Sequence, residues 1–148
     1  MARWEEVVRA DPGFAASVQE VFDRYKHKTI ATLRRDGSPR ISGIEADFKD
    51  GELTFGSMPR ATKARDLQRD GRFALHSASV DPPEDDPNGW VGDAKIAGRA
   101  TEIGTVEERG FHLFRADIDE VVRVEVVGNR LRIRLWRPKG GLQEWFRD

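Results

Sequence analysis

The chain has 148 residues, 38% of them hydrophobic, and sets 25 Lys and Arg against 26 Asp and Glu for a net charge of −1 at pH 7. That length suits one domain, residues 1–148, able to bury a core of its own, and the near-neutral balance argues against a general nucleic-acid binder. The absence of cysteine excludes disulfides, thiolate metal sites and thiol nucleophiles. No apolar run reaches membrane-spanning length and the N-terminal stretch lacks a signal peptide's apolar segment, so a cytoplasmic protein with no membrane partner is expected.

In chain order, "GFAASVQEVFDRYKHK" places Phe14, Val18, Val21, Phe22 and Tyr25 at helical spacing, one apolar stripe on an amphipathic helix. The period then changes to two. Three strand-like runs, Thr29–Leu33, Pro39–Phe48 and Glu52–Met58, are separated by Asp36-Gly37 and Asp50-Gly51, which are strong hairpin signals. A short helix over Thr62–Asp70 follows, then a strand over Arg72–Val80 and the Pro- and Asp-rich loop "DPPEDDPNG". "VGDAKIAGRATEIG" and "VVRVEVVGNRLRIRLW" resume the alternation, and "TVEERGFHLFRADIDE" between them reads as a helical turn running into a strand. About six antiparallel strands with few, short helices predict a mainly β chain closed into a small barrel.

Arg60, Lys63 and Arg65 crowd the start of the helix Thr62–Asp70, where the backbone dipole favours anions. The same spacing also fits a solvated surface on which Lys63 and Arg69 pair with Asp66. His27, His76 and His112 show no ligand spacing, and the acidic loop Asp81–Asp86 lacks the pattern of a calcium loop, so no metal site is expected. No nucleophile elbow, P-loop or dinucleotide-binding glycine pattern is present.

Residues Tyr25–Gly141 resemble the pyridoxamine 5'-phosphate oxidase-like family, the flavin-binding split barrels. The likeness lies in Ala31-Thr32-Leu33, Asp36-Gly37, Pro39, Ser42, Asp50-Gly51, Leu53, Phe55, Lys63, Arg65, Leu67, Asp70 and Arg72, and later in "GDAKIAGRATEI", "FHLFRADIDEVV" and "LWRPKGG". Gly71 stands where the family commonly has proline. The resemblance implies a six-stranded antiparallel split β-barrel and a homodimer with the cofactor at the subunit interface. It also implies an oxidoreductase that moves a hydride between bound FMN and a small planar molecule. A deazaflavin (coenzyme F-420)-dependent reductase, or a flavin- or haem-binding protein without catalysis, is the alternative. A true pyridoxamine phosphate oxidase is disfavoured because its C-terminal arginine pattern is missing.

Carried over by position, Lys63, Arg60 and Thr62 are expected on the cofactor phosphate, with Ser57 and Met58 in the segment leading to them. Ile41, Ser42 and Gly43 are expected against the ring, Gly43 because a side chain would stand in its way, and Arg40 on the phosphate or the ring's polar edge. Simple alternation turns Ile41 and Gly43 inward and Arg40, Ser42 and Ile44 to the other face. Trp136 is the expected contact to the partner subunit's cofactor, although a large aromatic at a strand end also suits a core.

Overall fold

The computed structural model describes all 148 residues. The elements in chain order are α1 (Trp4–Ala10), α2 (Pro12–Asp23), β1 (His27–Leu33), β2 (Pro39–Lys49), β3 (Glu52–Ser57), α3 (Thr62–Arg69), β4 (Arg72–His76), β5 (Asp93–Gly104), α4 (Val106–Arg109), β6 (His112–Val127), β7 (Arg130–Arg137) and β8 (Gly141–Arg147). Neighbours run β3-β2-β1-β4-β5-β6-β7-β8, all antiparallel, and β3 also pairs with β6. Six strands therefore close into a barrel, as the two-residue period predicts, while β7 and β8 continue from β6 beyond the closure. No helix is long and apolar enough to cross a membrane.

The hairpin signals act as expected. Asp50 (φ 54°) and Gly51 (φ 77°) form the tight β2–β3 turn, where positive φ at both central residues matches the twist of the strands. The β1–β2 turn is longer, with the Gly37 N–H donating to the Arg34 carbonyl and the Asp36 carboxylate accepting from the Ser38 N–H and hydroxyl.

The predicted amphipathic stripe buries Phe14, Val18, Val21 and Phe22 on α2. Asp11 caps that helix by accepting from the Phe14 N–H, and Pro12 opens it. Tyr25 lies past the helix end and is 51% exposed, so it is not part of the stripe. The helices α1 and α2 pack on β3, β5 and β6. Buried Arg123 ties α2 to the sheet by donating to the Ser17 hydroxyl and to the carbonyls of Val91 and Asp93. Inside the barrel Phe55 packs against Phe73 and Phe114, with ring centroids 5.3 and 6.2 Å apart.

Apart from shifts of one or two residues at the ends of β1, β2, β3 and α3, the elements differ from the sequence reading as follows. The run Val121–Trp136 is the end of β6 plus β7, split by a turn in which Gly128 has φ 65°. The strand expected to reach Val80 stops at His76, and the chain beyond it is pinned by Trp90, whose indole N–H donates to the Val80 carbonyl at 2.6 Å. The elements α1 and β8 carry no clean period and were not expected: β8 is exposed or half-exposed along its whole length.

The register of β5 on β6 shifts between Ala97 and Gly98, and a Cβ on Gly98 would collide with the Asp117 carbonyl oxygen across the ladder. Gly43 has no atom within 4 Å of an added Cβ. Gly98→Ala should therefore cost about 2 kcal/mol or more, and Gly43→Ala no more than about 0.5 kcal/mol, in urea denaturation of the two variants. Equal small losses would show that the bulge yields to a methyl group.

Candidate cofactor site

The site is built where α3 meets β2. The chain leaves β3 through a turn in which the Ala61 N–H donates to the Met58 carbonyl at 3.1 Å. Pro59 and then Arg60, with φ 65°, occupy its central positions, the pattern of a type II turn with an arginine where glycine is usual. The helix begins at once, and its cap residue, Ala61, has no side chain to accept from the first-turn amides. No acidic residue lies in that turn either, so the positive end of the helix is left open. Ala64, Asp66 and Leu67 are buried on the face against the barrel.

Two contacts join this helix to β2. The Lys63 ammonium donates to the Gly43 carbonyl at 2.7 Å. The Arg40 Nε donates to the Asp66 carboxylate, also at 2.7 Å. Asp66, 1% exposed, further accepts from the Thr32 hydroxyl at 2.8 Å and from Arg69 at 2.9 Å. Burial by itself pushes the Asp66 carboxyl up, but the hydrogen bonds from Arg40, Thr32 and Arg69 outweigh it and hold the group below the usual carboxylate range. Of the two surface pairs that the spacing suggested, Arg69–Asp66 forms and Lys63–Asp66 does not. The cation at position 63 is turned to β2 instead. Arg40 spends only its Nε on the protein, leaving its terminal N–H groups without a partner on a side chain 24% exposed.

No protein-family profile and no curated protein matches this chain. Solved structures do. The chain is similar to PhzG from Burkholderia lata 383 in complex with tetrahydrophenazine-1-carboxylic acid, at TM-score 0.65 and 14% identity over 97% of this chain and 92% of that one. It is similar to a pyridoxamine 5'-phosphate oxidase-related, FMN binding protein from Nostoc punctiforme PCC 73102, at TM-score 0.63 and 12% identity over 93% and 96%. An F420 reductase matches at TM-score 0.53 and 13% identity over 70% and 94%.

The fold is that of the flavin-binding split barrels. On this split barrel Lys63 contacts Gly43, Arg40 lies on the same strand and contacts α3 through Asp66, and Thr62 is exposed at the first position of α3. The faces of β2 are reversed from the expectation. Ile44 and Ala46 are buried, whereas Ile41 is 75% exposed and Gly43 lies on the outer face with it. The long apolar set Ile44, Ala46 and Phe48 decides which face turns in, and Arg40 and Ser42 share that face at the end of the barrel, half-exposed. That is why Arg40 can reach Asp66 beneath α3.

Met58, 78% exposed, ends the segment leading into the turn, while Ser57 before it points inward, 5% exposed with no partner for its hydroxyl. Arg60 lines a cavity with Arg65 and Gln68, and Lys63 is not part of that lining. Trp136 is packed into this chain's own core at 4% exposed, and its ring is committed there. Asp66 and Thr32 were not expected in the site. In the sequence Asp66 reads only as a surface partner of Lys63 and Arg69, and its burial follows from its place beside Ala64 and Leu67 on the face packed against the barrel.

Because Asp66 has a depressed pKa in the folded state, its contribution to stability is present above its unfolded value, about 3.9, and is lost as pH falls through the folded one. Asp66→Asn should therefore flatten the acid limb of a Tm-against-pH curve below about pH 4. At neutral pH Asp66→Ala should cost about 2–3 kcal/mol, less than a fully buried pair because the Arg40 and Arg69 side chains keep 24% and 31% exposure. A loss under about 0.5 kcal/mol would mean that the two arginines re-solvate freely.

Proposed function

We propose that this split barrel is an FMN-dependent oxidoreductase, with the cofactor phosphate at the open start of α3 and the ring along the outer face of β2. The observation that carries the reading is the Lys63–Gly43 contact. It ties an ammonium group carried by the uncapped first turn of α3 to a strand whose glycine leaves its outer face clear. Phosphate gains at such a place from free N–H groups, from the dipole and from charge-assisted hydrogen bonds. Arg40, steadied by Asp66, supplies further donors. Ile41 and Met58, the large apolar side chains most open to solvent, flank these groups and suit a flat aromatic ring or a second subunit.

When bound, the flavin carries the hydride, and the protein's part is to bind, orient and exclude water. Lys63 and Arg40 hold the anionic end, and Gly43 lets the ring approach the backbone. The substrate is a small planar, electron-poor molecule. The barrel works as a homodimer that covers Ile41 and Met58. FMN is preferred to the deazaflavin because the FMN-binding neighbour matches nearly the whole chain and the F420 reductase 70% of it.

The purified protein should show a two-band flavin spectrum; a single band at shorter wavelength would make it a deazaflavin protein, and a Soret band a haem protein. Calorimetric titration of Lys63→Ala should show FMN weakened roughly ten- to a hundredfold, the worth of one charge-assisted hydrogen bond, with riboflavin unchanged. Equal losses for the two ligands would overturn the phosphate assignment. Reduction of the bound cofactor by NAD(P)H, followed by its reoxidation with a planar acceptor, distinguishes an enzyme from a carrier. Light scattering should return twice the 16.8 kDa of one chain.

A further inference from the structure

A second polar site lies across α3 from the first. At 100° per residue Lys63 and Arg65 point about 200° apart, so the helix that turns Lys63 toward β2 turns Arg65 away from it. On that far side α3, the turn before it, the end of β5, α4 and the start of β6 border an open cavity of about 550 Å3, with Arg60, Arg65 and Gln68 exposed. Arg60, Arg65, Gln68, Glu102 and His112 line it, with Glu107 exposed at its rim.

At its wall the His112 Nδ1 lies 2.6 Å from one Glu102 oxygen, and Gln68 donates to the other at 3.0 Å. The carboxylate only accepts, so Nδ1 carries a hydrogen, and in that tautomer the lone pair lies on Nε2. Burial raises the Glu102 pKa, but the hydrogen bonds from His112 and Gln68 bring it below its ordinary value, so this acceptor stays ionised and the ring stays oriented. Both Glu102 oxygens are taken up by these hydrogen bonds, so neither Arg60 nor Arg65 is held by that carboxylate. The ion pairs around α3 are Arg40–Asp66, Arg69–Asp66 and Arg72–Asp70, and neither Arg60 nor Arg65 takes part in one. Arg60 is held in the left-handed region, φ 65°, where a side chain is strained and glycine is not.

We propose that this cavity binds a small oxyanion that also carries an O–H, such as a phosphate monoester or a hydroxy acid. Its charged oxygens take N–H groups from Arg60 and Arg65, and its hydroxyl donates to His112 Nε2. The site is separate from the phosphate end of the flavin site and does not depend on the flavin reading.

Inorganic phosphate is the probe, added against sodium chloride of matched ionic strength, with the imidazole signals of His27, His76 and His112 followed by 15N NMR. A saturable shift of His112 alone is expected. Arg65→Ala should weaken it about tenfold. Arg60→Gly should weaken it similarly while the Tm stays level or rises, because backbone strain is relieved; a merely structural arginine would not behave so. Lys63→Ala should leave the titration unchanged. No saturable response, a response that survives Arg65→Ala, or one lost in Lys63→Ala would each overturn the proposal.

Discussion

One buried carboxylate holds the working end of this barrel together. Asp66 sits at the barrel surface of α3 and gathers a hydroxyl from β1 and guanidinium groups from β2 and from its own helix. A charge so placed is costly unless every lone pair is used, and here three donors converge on it. The helix thereby acquires a fixed rotation. Once Asp66 faces the barrel, Ala64 and Leu67 pack beneath it, Lys63 must turn to β2, and Arg65 and Gln68 must turn to β5 and β6. Both polar sites of the molecule follow from that one orientation.

The barrel gives the helix something rigid to dock on. Closure by the β3–β6 pairing leaves no edge among the six strands and encloses the aromatic cluster of Phe55, Phe73 and Phe114. Where the sheet runs on into β7 and β8 it is outside that closure. Its charges are managed locally instead, with Glu125 bound by Arg132 and Arg134. Burial pushes the Glu125 carboxyl up, and the hydrogen bond from Arg132 with the nearby arginine charges brings it below the usual range. The outer strand still shows Trp145 and Phe146 to solvent, each 40% exposed.

Much of the candidate site was legible because its parts are local. The crowding of cations at the start of α3 is a conflict with the helix dipole that can be seen in a dozen residues, and Gly43 stands out as a glycine inside a strand. The partition of those cations was not legible. Arg60 and Lys63 are three residues apart, yet Arg60 lines the cavity with Arg65 while Lys63 reaches the Gly43 carbonyl. The Glu102–His112 contact joins the end of β5 to the start of β6, and no spacing pattern marks it. A histidine without an HxH neighbour reads as isolated until the sheet register brings a carboxylate beside it.

The sequence by itself determined the class of structure: alternation, Asp-Gly turns and the stripe of α2 are short-range consequences of side-chain direction and backbone φ, and they act in the same way in any context. It also determined that cations would collect near α3. Only the tertiary structure decided which face of β2 turns inward, because Ile41 and Ile44 are equally apolar and the choice falls to the longer set that the barrel can bury. It alone decided that Trp136 belongs to the core and that Asp66 takes Arg40 and Arg69. Those outcomes depend on contacts between residues far apart in the chain, whose energies exist only once the barrel has closed.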